Sequence, residues 1–355
     1  MSMTDYLKNI REKHLKKRKE RNPDYPIAVW IQDDVFRDKT FGQSFTIILR
    51  TKGCRWAYES GGCTMCSYLM DASPAEITSE NLKNQFDSAV EKYKDQLNKN
   101  MSIKLFTSGS FLDTFEIPLE TREYIFKRIE EMGAKEVAIE SRAEFVTPKN
   151  MESIKNILSC NIEIGVGIES LNERIRNVAI HKGVPTKAIE NAFSVAEEYD
   201  VGIKAYILIK PPFISEKEAI IDAIDTANKC IEMGCSRISF CPASIHKGTL
   251  IETLWKKNQY RPPFLWSILE ILKEVKSKNP DALVMCDTAG VSSKRGAHNA
   301  IDCTCNDKIK DIFNDFTVTQ KIEKLDIECD CKKEWIEYME YEQKNIVPLG
   351  DEKLI

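Results

Sequence analysis

SFTIILRTKGCRWAYESGGCTMC, residues 44–66, joins a short β-branched run to a loop that carries three cysteines. The run 44–50 reads as a first strand, because β-branched and aromatic side chains suit a pleated, half-buried surface. Cys54, Cys63 and Cys66 follow with C-x8-C-x2-C spacing and no fourth cysteine nearby. Three thiolates on one loop match a [4Fe–4S] cluster with one iron left open, which a small molecule can bind through an amine and a carboxylate. A closed electron-transfer cluster would take four cysteines, and a structural zinc a fourth local ligand. A zinc knuckle borrowing a distant ligand and three unrelated thiols are the other readings of this spacing.

Outward from the loop, strand and helix signals alternate. Residues 77–97 have helical spacing at Leu82, Phe86, Val90 and Tyr93, with Thr78 or Ser79 as the cap. SIKLFTSG (102–109) predicts a strand and LETREYIFKRIEEMG (119–133) a helix closed by Gly133. Further strands are expected at 135–142, 162–170, 202–212, 237–242 and 282–287, with helices between them. Six or seven such units in about 240 residues suit an α/β fold, as a full or partial (β/α) barrel or an open doubly wound sheet. No G-x-G-x-x-G follows the first strand, which weakens a dinucleotide-binding reading. In a barrel the active site lies at the C-terminal strand ends.

Composition bounds the function. The 355 residues are 42% hydrophobic and 30% charged, and 51 basic against 55 acidic side chains leave −4. That balance suits a globular enzyme and advertises no general affinity for nucleic acid. Twelve cysteines are far fewer than the ~8–10% of a disulfide scaffold. The N-terminal residues lack the apolar core of a secretory signal, and no run approaches the ~20 apolar residues of a membrane span. A cytoplasmic, reducing location is expected, with cysteines as metal ligands or core residues. Residues 8–21 hold eight Lys/Arg against two Glu, which reads as a solvated helical face or as a basic arm for a polyanion. The expected division is 1–43 as a basic arm and extension, 44–285 as the barrel and 286–355 as a Cys/His-rich module.

On the cysteine loop and its place after a strand, the chain resembles the radical S-adenosylmethionine superfamily. The wide first gap is similar to the branch of the elongator catalytic subunit, which acts mainly on tRNA. The resemblance implies a partial (β/α)6-type barrel, with Cys54, Cys63 and Cys66 holding a [4Fe–4S] cluster. The open iron would chelate the methionine end of S-adenosylmethionine, and one electron would release a 5′-deoxyadenosyl radical that takes hydrogen from substrate. It further implies a cofactor pocket at Ser108, Gly109 and Ser110 after the second predicted strand. Glu140, Ser141 and Arg142 after the third, with Gly167 and Glu169 on the fourth, complete it. On the fifth, Lys204, Tyr206, Leu208 and Lys210 share a face. Two lysines on a buried strand suggest either a lumen for an anionic substrate or frayed strand ends.

Longer strings narrow the resemblance: GIESLNERIRNVAIHKG (167–183), KAYILIKPPFISEKEAI (204–220), HKGTLIETLWKKNQYRPPFLWSILEIL (246–272) and KRGAHNAIDCTCND (294–307). They are similar to the radical-SAM subunit family of archaeosine synthase. This implies cleavage of a lysine C–N bond on a deazaguanine nucleoside in tRNA, a separate lysine-transferring subunit as partner, and an external reductant. Another tRNA-modifying radical enzyme, such as a methylthio-transferase, and a non-catalytic metal-binding tRNA adaptor are the rival readings. A second cysteine set, Cys303, Cys305, Cys329 and Cys331 with His298 near in sequence, is a candidate structural zinc site. A second Fe–S cluster and unliganded thiols remain alternatives there. Cys160, Cys230, Cys235 and Cys241 read as core or strand residues with no metal spacing.

Overall fold

The structure, a computed structural model, describes residues 2–16, 20–345 and 349. The chain divides into two compact units. Unit 1 comprises 1–62, 66–167 and 187–204, and unit 2 comprises 63–65, 168–186 and 205–355.

Unit 1 runs α1 (Met3–Leu15), β1 (Ala28–Val35), β2 (Phe41–Ile48), α2 (Arg55–Ser60), α3 (Ser79–Tyr93), β3 (Met101–Phe106), α4 (Leu119–Met132), β4 (Glu136–Ser141), α5 (Pro148–Lys155), most of β5 (Asn161–Glu169) and α6 (Thr186–Glu198). Unit 2 follows with most of β6 (Gly202–Ile209), α7 (Glu216–Glu232), β7 (Arg237–Pro242), α8 (Leu250–Lys256), α9 (Leu265–Lys278), β8 (Leu283–Cys286), α10 (Cys305–Thr319) and α11 (Lys332–Asn345). The strands are ordered as in the sequence, β1 to β8. Pairing is parallel from β2 through β5 and between β7 and β8. Both faces of such strands are covered, so β3 and β4 are buried almost throughout.

The predicted elements appear within a few residues of their expected limits. Thr78 caps α3 in a reciprocal pair with Asn81, and Gly133 closes α4 at φ 68°. The exception lies at the start. The run 44–50 is the second strand, because AVWIQDDV forms β1 and pairs antiparallel with β2 over its whole length. Asp34 of β1 reaches past β2 to Lys104 of β3, 2.6 Å away, with both side chains buried.

The described part of the basic segment is helical, with a buried side as well as a solvated one. Residues 3–15 form α1, with Ser2 and Asp5 in a capping box. Leu7 and Arg11, one turn apart, are both buried. The Arg11 guanidinium donates to the Gly61 carbonyl, and a side chain at Gly61 would meet Leu7 and Lys8 at 2.7–2.8 Å. Gly61 and Gly62 both have positive φ, 83° and 74°, so α1 docks on a turn that only glycine forms without strain. Lys17, Arg18 and Lys19 of the basic run lie outside the described residues.

Arg11→Ala should therefore destabilise the protein by about 1–3 kcal/mol, the cost of an unsatisfied buried carbonyl. Lys13→Ala, on the exposed side of α1, should cost much less. Equal denaturation midpoints for the two variants would show that α1 is not docked through Arg11.

Candidate functional site

In unit 1 the cysteine loop starts where β2 ends. Cys54 is the residue before α2, in extended conformation. Thr51 turns the chain by accepting the Gly53 N–H at 3.1 Å, and the Tyr58 hydroxyl donates to the Lys52 carbonyl at 2.6 Å. Arg55 makes a two-pronged contact with buried Asp113 at 2.9 and 2.5 Å. Such forked pairing fixes orientation as well as distance. It ties α2 to the segment after β3.

Glu116 makes the second tie. The Thr51 hydroxyl donates to one carboxylate oxygen at 2.5 Å, and the Ser110 N–H to the other at 2.6 Å. Burial pushes the Glu116 carboxyl up to about 7, against the opposite pull of these hydrogen bonds. Between the two ties the loops touch. A Cβ on Gly109 would lie 2.6 Å from the Cys54 Cα and 2.5 Å from a Glu116 oxygen. Only glycine fits there, whatever else the position does.

The structure brings several expected cofactor residues together. The Ser110 hydroxyl accepts the Arg142 N–H at 3.1 Å, and the Phe111 N–H donates to the Glu140 carbonyl at 2.8 Å. Ser108, Ser110, Ser141 and Arg142 are buried, while Glu140 and Gly167 are half-buried. The Arg142 guanidinium lies over the Trp56 ring and binds Glu144 at 2.6 Å. Sequence reasoning misses Thr51, Asp113 and Glu116. A lone Glu in DTFEIP has no spacing to mark it.

In unit 2, Thr64 holds Cys63–Met65 in place. Its N–H and hydroxyl donate to the Ile180 and Ala179 carbonyls, both at 2.9 Å. Those carbonyls end a π-helical turn, Ile175–Ala179, and such turns are frequent at functional sites. Arg176 is fully buried and donates to the Val184 and Ser170 carbonyls and the Thr186 hydroxyl. The string 167–183 thus builds the seat of Cys63 and Met65, which pack on the cluster of Ile175, Ile180, Leu208 and Ile251. Glu169, at φ 63°, pairs with Lys182 at 2.7 Å.

Lys210 departs from both sequence expectations. It is neither frayed nor lining an open lumen: it is 2% exposed, and its ammonium lies 2.6 Å from Glu216 and 3.7 Å from Glu342. These two carboxylates compensate its charge. Lys204 is half-buried. Strings 246–272 and 294–307 are joined by Arg295, which donates to Glu252 and to the Ile245 carbonyl, both at 2.9 Å. Burial works against the charge on Glu252, yet Arg295, the Gly248 N–H and Lys256 hold its carboxyl down at about 2.

Cys303, Cys305, Cys329 and Cys331 converge, with all four sulfurs within 4.8 Å of one another. His298 is not part of this set. Its Nδ1–H donates to the Gly296 carbonyl at 2.7 Å.

The loop cysteines are half-buried thiols, Cys54 and Cys66 in unit 1 and Cys63 in unit 2. Cysteine thiols are soft donors of the kind an Fe–S cluster takes; among the described residues the close-set metal-ligating group is the C-terminal four, and these three are not in it. Cys54→Ala, Cys63→Ala and Cys66→Ala should each abolish 5′-deoxyadenosine formation and most of the broad absorbance at roughly 400 nm. Turnover by any of the three would remove the radical reading. The buried carboxyl offers a separate test. Native Glu116 takes up its proton near 7 and the unfolded residue near 4.5, so folding binds protons between these values. The stability it contributes is full below 4.5 and is lost as pH rises through 7. Against Glu116→Gln, the wild-type protein should lose on the order of 3 kcal/mol across that window. Parallel stability curves by denaturant unfolding would refute this.

No family model matches the chain. It is 60% identical over 352 residues to an uncharacterized protein of Methanocaldococcus jannaschii, covering 98% of this chain and 96% of that one. It is 34% identical to archaeosine synthase subunit beta of Methanosarcina acetivorans, over 96% of this chain and 97% of that one. The protein of the same name in Thermococcus kodakarensis is 35% identical over 87% of this chain and 95% of its own length. Among solved structures, Elp3 of Methanocaldococcus infernus superposes with a TM-score of 0.50 at 13% identity. The match covers 68% of this chain and 60% of that one, a likeness of fold that supports the partial-barrel reading. On these matches the chain belongs to the archaeosine synthase subunit beta family.

Proposed function

We propose that this protein breaks the C–N bond of the lysine carried by a deazaguanine nucleoside in tRNA, leaving the formamidine of archaeosine. The observation that carries this reading is near full-length likeness to two proteins named archaeosine synthase subunit beta. A protein named as a beta subunit also supports a partner, here the lysine-transferring subunit. An external reductant supplies the electron.

Cys54, Cys63 and Cys66 would hold the cluster. Ser108, Gly109, Ser110, Glu140, Ser141, Arg142, Gly167 and Glu169 are proposed for S-adenosylmethionine. When bound, these groups supply a 5′-deoxyadenosyl radical, and the protein supplies position. Hydrogen taken from the carbon next to the lysine nitrogen would leave a carbon radical; loss of one further electron to an iron–sulfur centre would give an iminium, which water hydrolyses to the formamidine and an aldehyde, releasing a proton.

Position is what the protein's own residues provide. Gly109 permits backbone contact with Cys54, Glu116 clamps Thr51 to Ser110, and Ser110 fixes the Arg142 amide. Within unit 2, Thr64 fixes the backbone that follows Cys63. Rigid placement of reacting groups is a large part of any enzymatic rate. With Glu144 on its guanidinium, Arg142 offers its backbone more readily than its charge.

The test is mass spectrometry of tRNA nucleosides from cells lacking this protein. Archaeosine should disappear and the lysine-bearing precursor accumulate. Unchanged archaeosine would overturn the proposal, and a missing methylthio nucleoside would favour a different radical enzyme.

A further inference from the structure

Outside the residues assigned to the radical reaction, the densest set of metal-ligating side chains is the four C-terminal cysteines. Cys303 and Cys305 flank the start of α10, and Cys329 and Cys331 immediately precede α11. The Sγ atoms of Cys303 and Cys329 lie 3.4 Å apart, as do those of Cys305 and Cys331. A tetrahedral zinc with Zn–S bonds of about 2.3 Å sets its sulfurs about 3.8 Å apart. The observed spread, 3.4 Å for two pairs and under 4.8 Å for all, brackets that edge. Around a four-iron cluster each thiolate binds a different iron, so the sulfurs must stand farther apart. The spacing selects one ion.

Two buried N–H groups support charged sulfur at this place. Trp266 is 3% exposed, and its Nε1–H has no hydrogen-bond partner. The indole lies beside the Cys331 sulfur. An indole N–H buried without a partner is costly, and a metal thiolate accepts that proton better than a neutral thiol. The amide of Asn299, 1% exposed, donates to the Cys305 sulfur at 3.3 Å. The Asn299 carbonyl oxygen in turn accepts the N–H groups of Leu265 and Trp266 at the start of α9. Both thiol pairs also sit at helix N-termini, where partial positive charge favours anions.

We propose that Cys303, Cys305, Cys329 and Cys331 bind one zinc ion as thiolates, with Trp266 and Asn299 as hydrogen-bond donors to sulfur and His298 outside the site. The thiols release their protons to solvent as the ion binds, with no change of oxidation state. Zinc fastens the start of α11 to α10. From there α11 sends the Trp335 indole to Ser267 at 2.9 Å and the Glu342 carboxylate to the Glu216 N–H at 2.6 Å. Ser267 and Lys210 both bind the Glu216 side chain, at 2.5 and 2.6 Å. The zinc is thus the remote anchor of the ion pair that closes the C-terminal end of β6. None of this depends on the reaction proposed above.

The experiment is metal analysis of full-length protein purified without oxygen, beside the triple variant Cys54→Ala/Cys63→Ala/Cys66→Ala. About one zinc per chain should remain in both, while iron falls to background in the triple variant. Iron retained in the triple variant, as one atom or four, would overturn the zinc assignment, as would no metal at all. Trp266→Phe should keep the zinc but release it to a chelator about tenfold faster; an unchanged rate would remove Trp266 from the site. Stripping zinc from the wild-type protein should speed amide exchange across residues 335–342 at least tenfold. Unchanged exchange there would overturn the anchoring of α11.

Discussion

Glu116 is a carboxylate shut away from water, and the loops of unit 1 are arranged to satisfy it. Its two oxygens take a hydroxyl from the segment before Cys54 and an amide from the segment after β3. An acid in that position leaves its neighbours little freedom, because a hydrogen bond lost in a buried site costs the full desolvation of the group. The Gly109–Cys54 contact follows from this clamp: two loops drawn to one carboxylate are pressed together until only a hydrogen atom separates their backbones. Ser110 then serves two partners, its amide on Glu116 and its hydroxyl on the Arg142 amide. One side chain from a loop with no motif thereby sets the ends of β2, β3 and β4.

What was legible in the sequence was whatever repeats. Period-two alternation and helical spacing marked β2 to β8 and the helices between them, because each repeats a burial decision many times. The cysteine spacings were visible because thiols are rare. β1 escaped since AVWIQDDV carries two aspartates, and a strand with one half-exposed end shows no clean alternation. The docking of the N-terminal segment stayed hidden for a related reason. A count of charges hides the two residues, Leu7 and Arg11, whose spacing of one helical turn buries them on a glycine turn. His298 looked like a ligand beside the cysteines, but the close-set group that forms among the described residues holds the four sulfurs without it. Lys210 looked like a substrate group because the sequence does not show that Glu216 and Glu342 return to it.

Single polar residues such as Glu116, Thr64 and Arg176 left no sequence signal. Each acts once, through contacts that only folding creates. Arg176 satisfies two carbonyls and a hydroxyl that would otherwise be buried alone, and a buried guanidinium is tolerated only when its donors are used in this way. Family strings do mark such places indirectly. Residues 167–183 resemble the family as a block because one turn of backbone must present carbonyls to Thr64 while Arg176 holds the turn closed.

The two thiol sets answer different physical demands. A catalytic cluster would have to keep one position for a small molecule, and the cysteines proposed for it are half-buried, with Glu116 holding the Thr51 turn before Cys54. A structural ion has to satisfy its own charge, and the ligands proposed for it close around one point, with the Asn299 N–H on one sulfur and helix N-termini behind them. The support therefore runs in opposite directions. At the loop, the protein positions the cysteines; at the C-terminal set, the cysteines position the protein. Substitutions at the two sets should therefore act for unlike reasons. The first loses the chemistry in a folded protein, and the second loosens α11 while the loop cysteines remain intact.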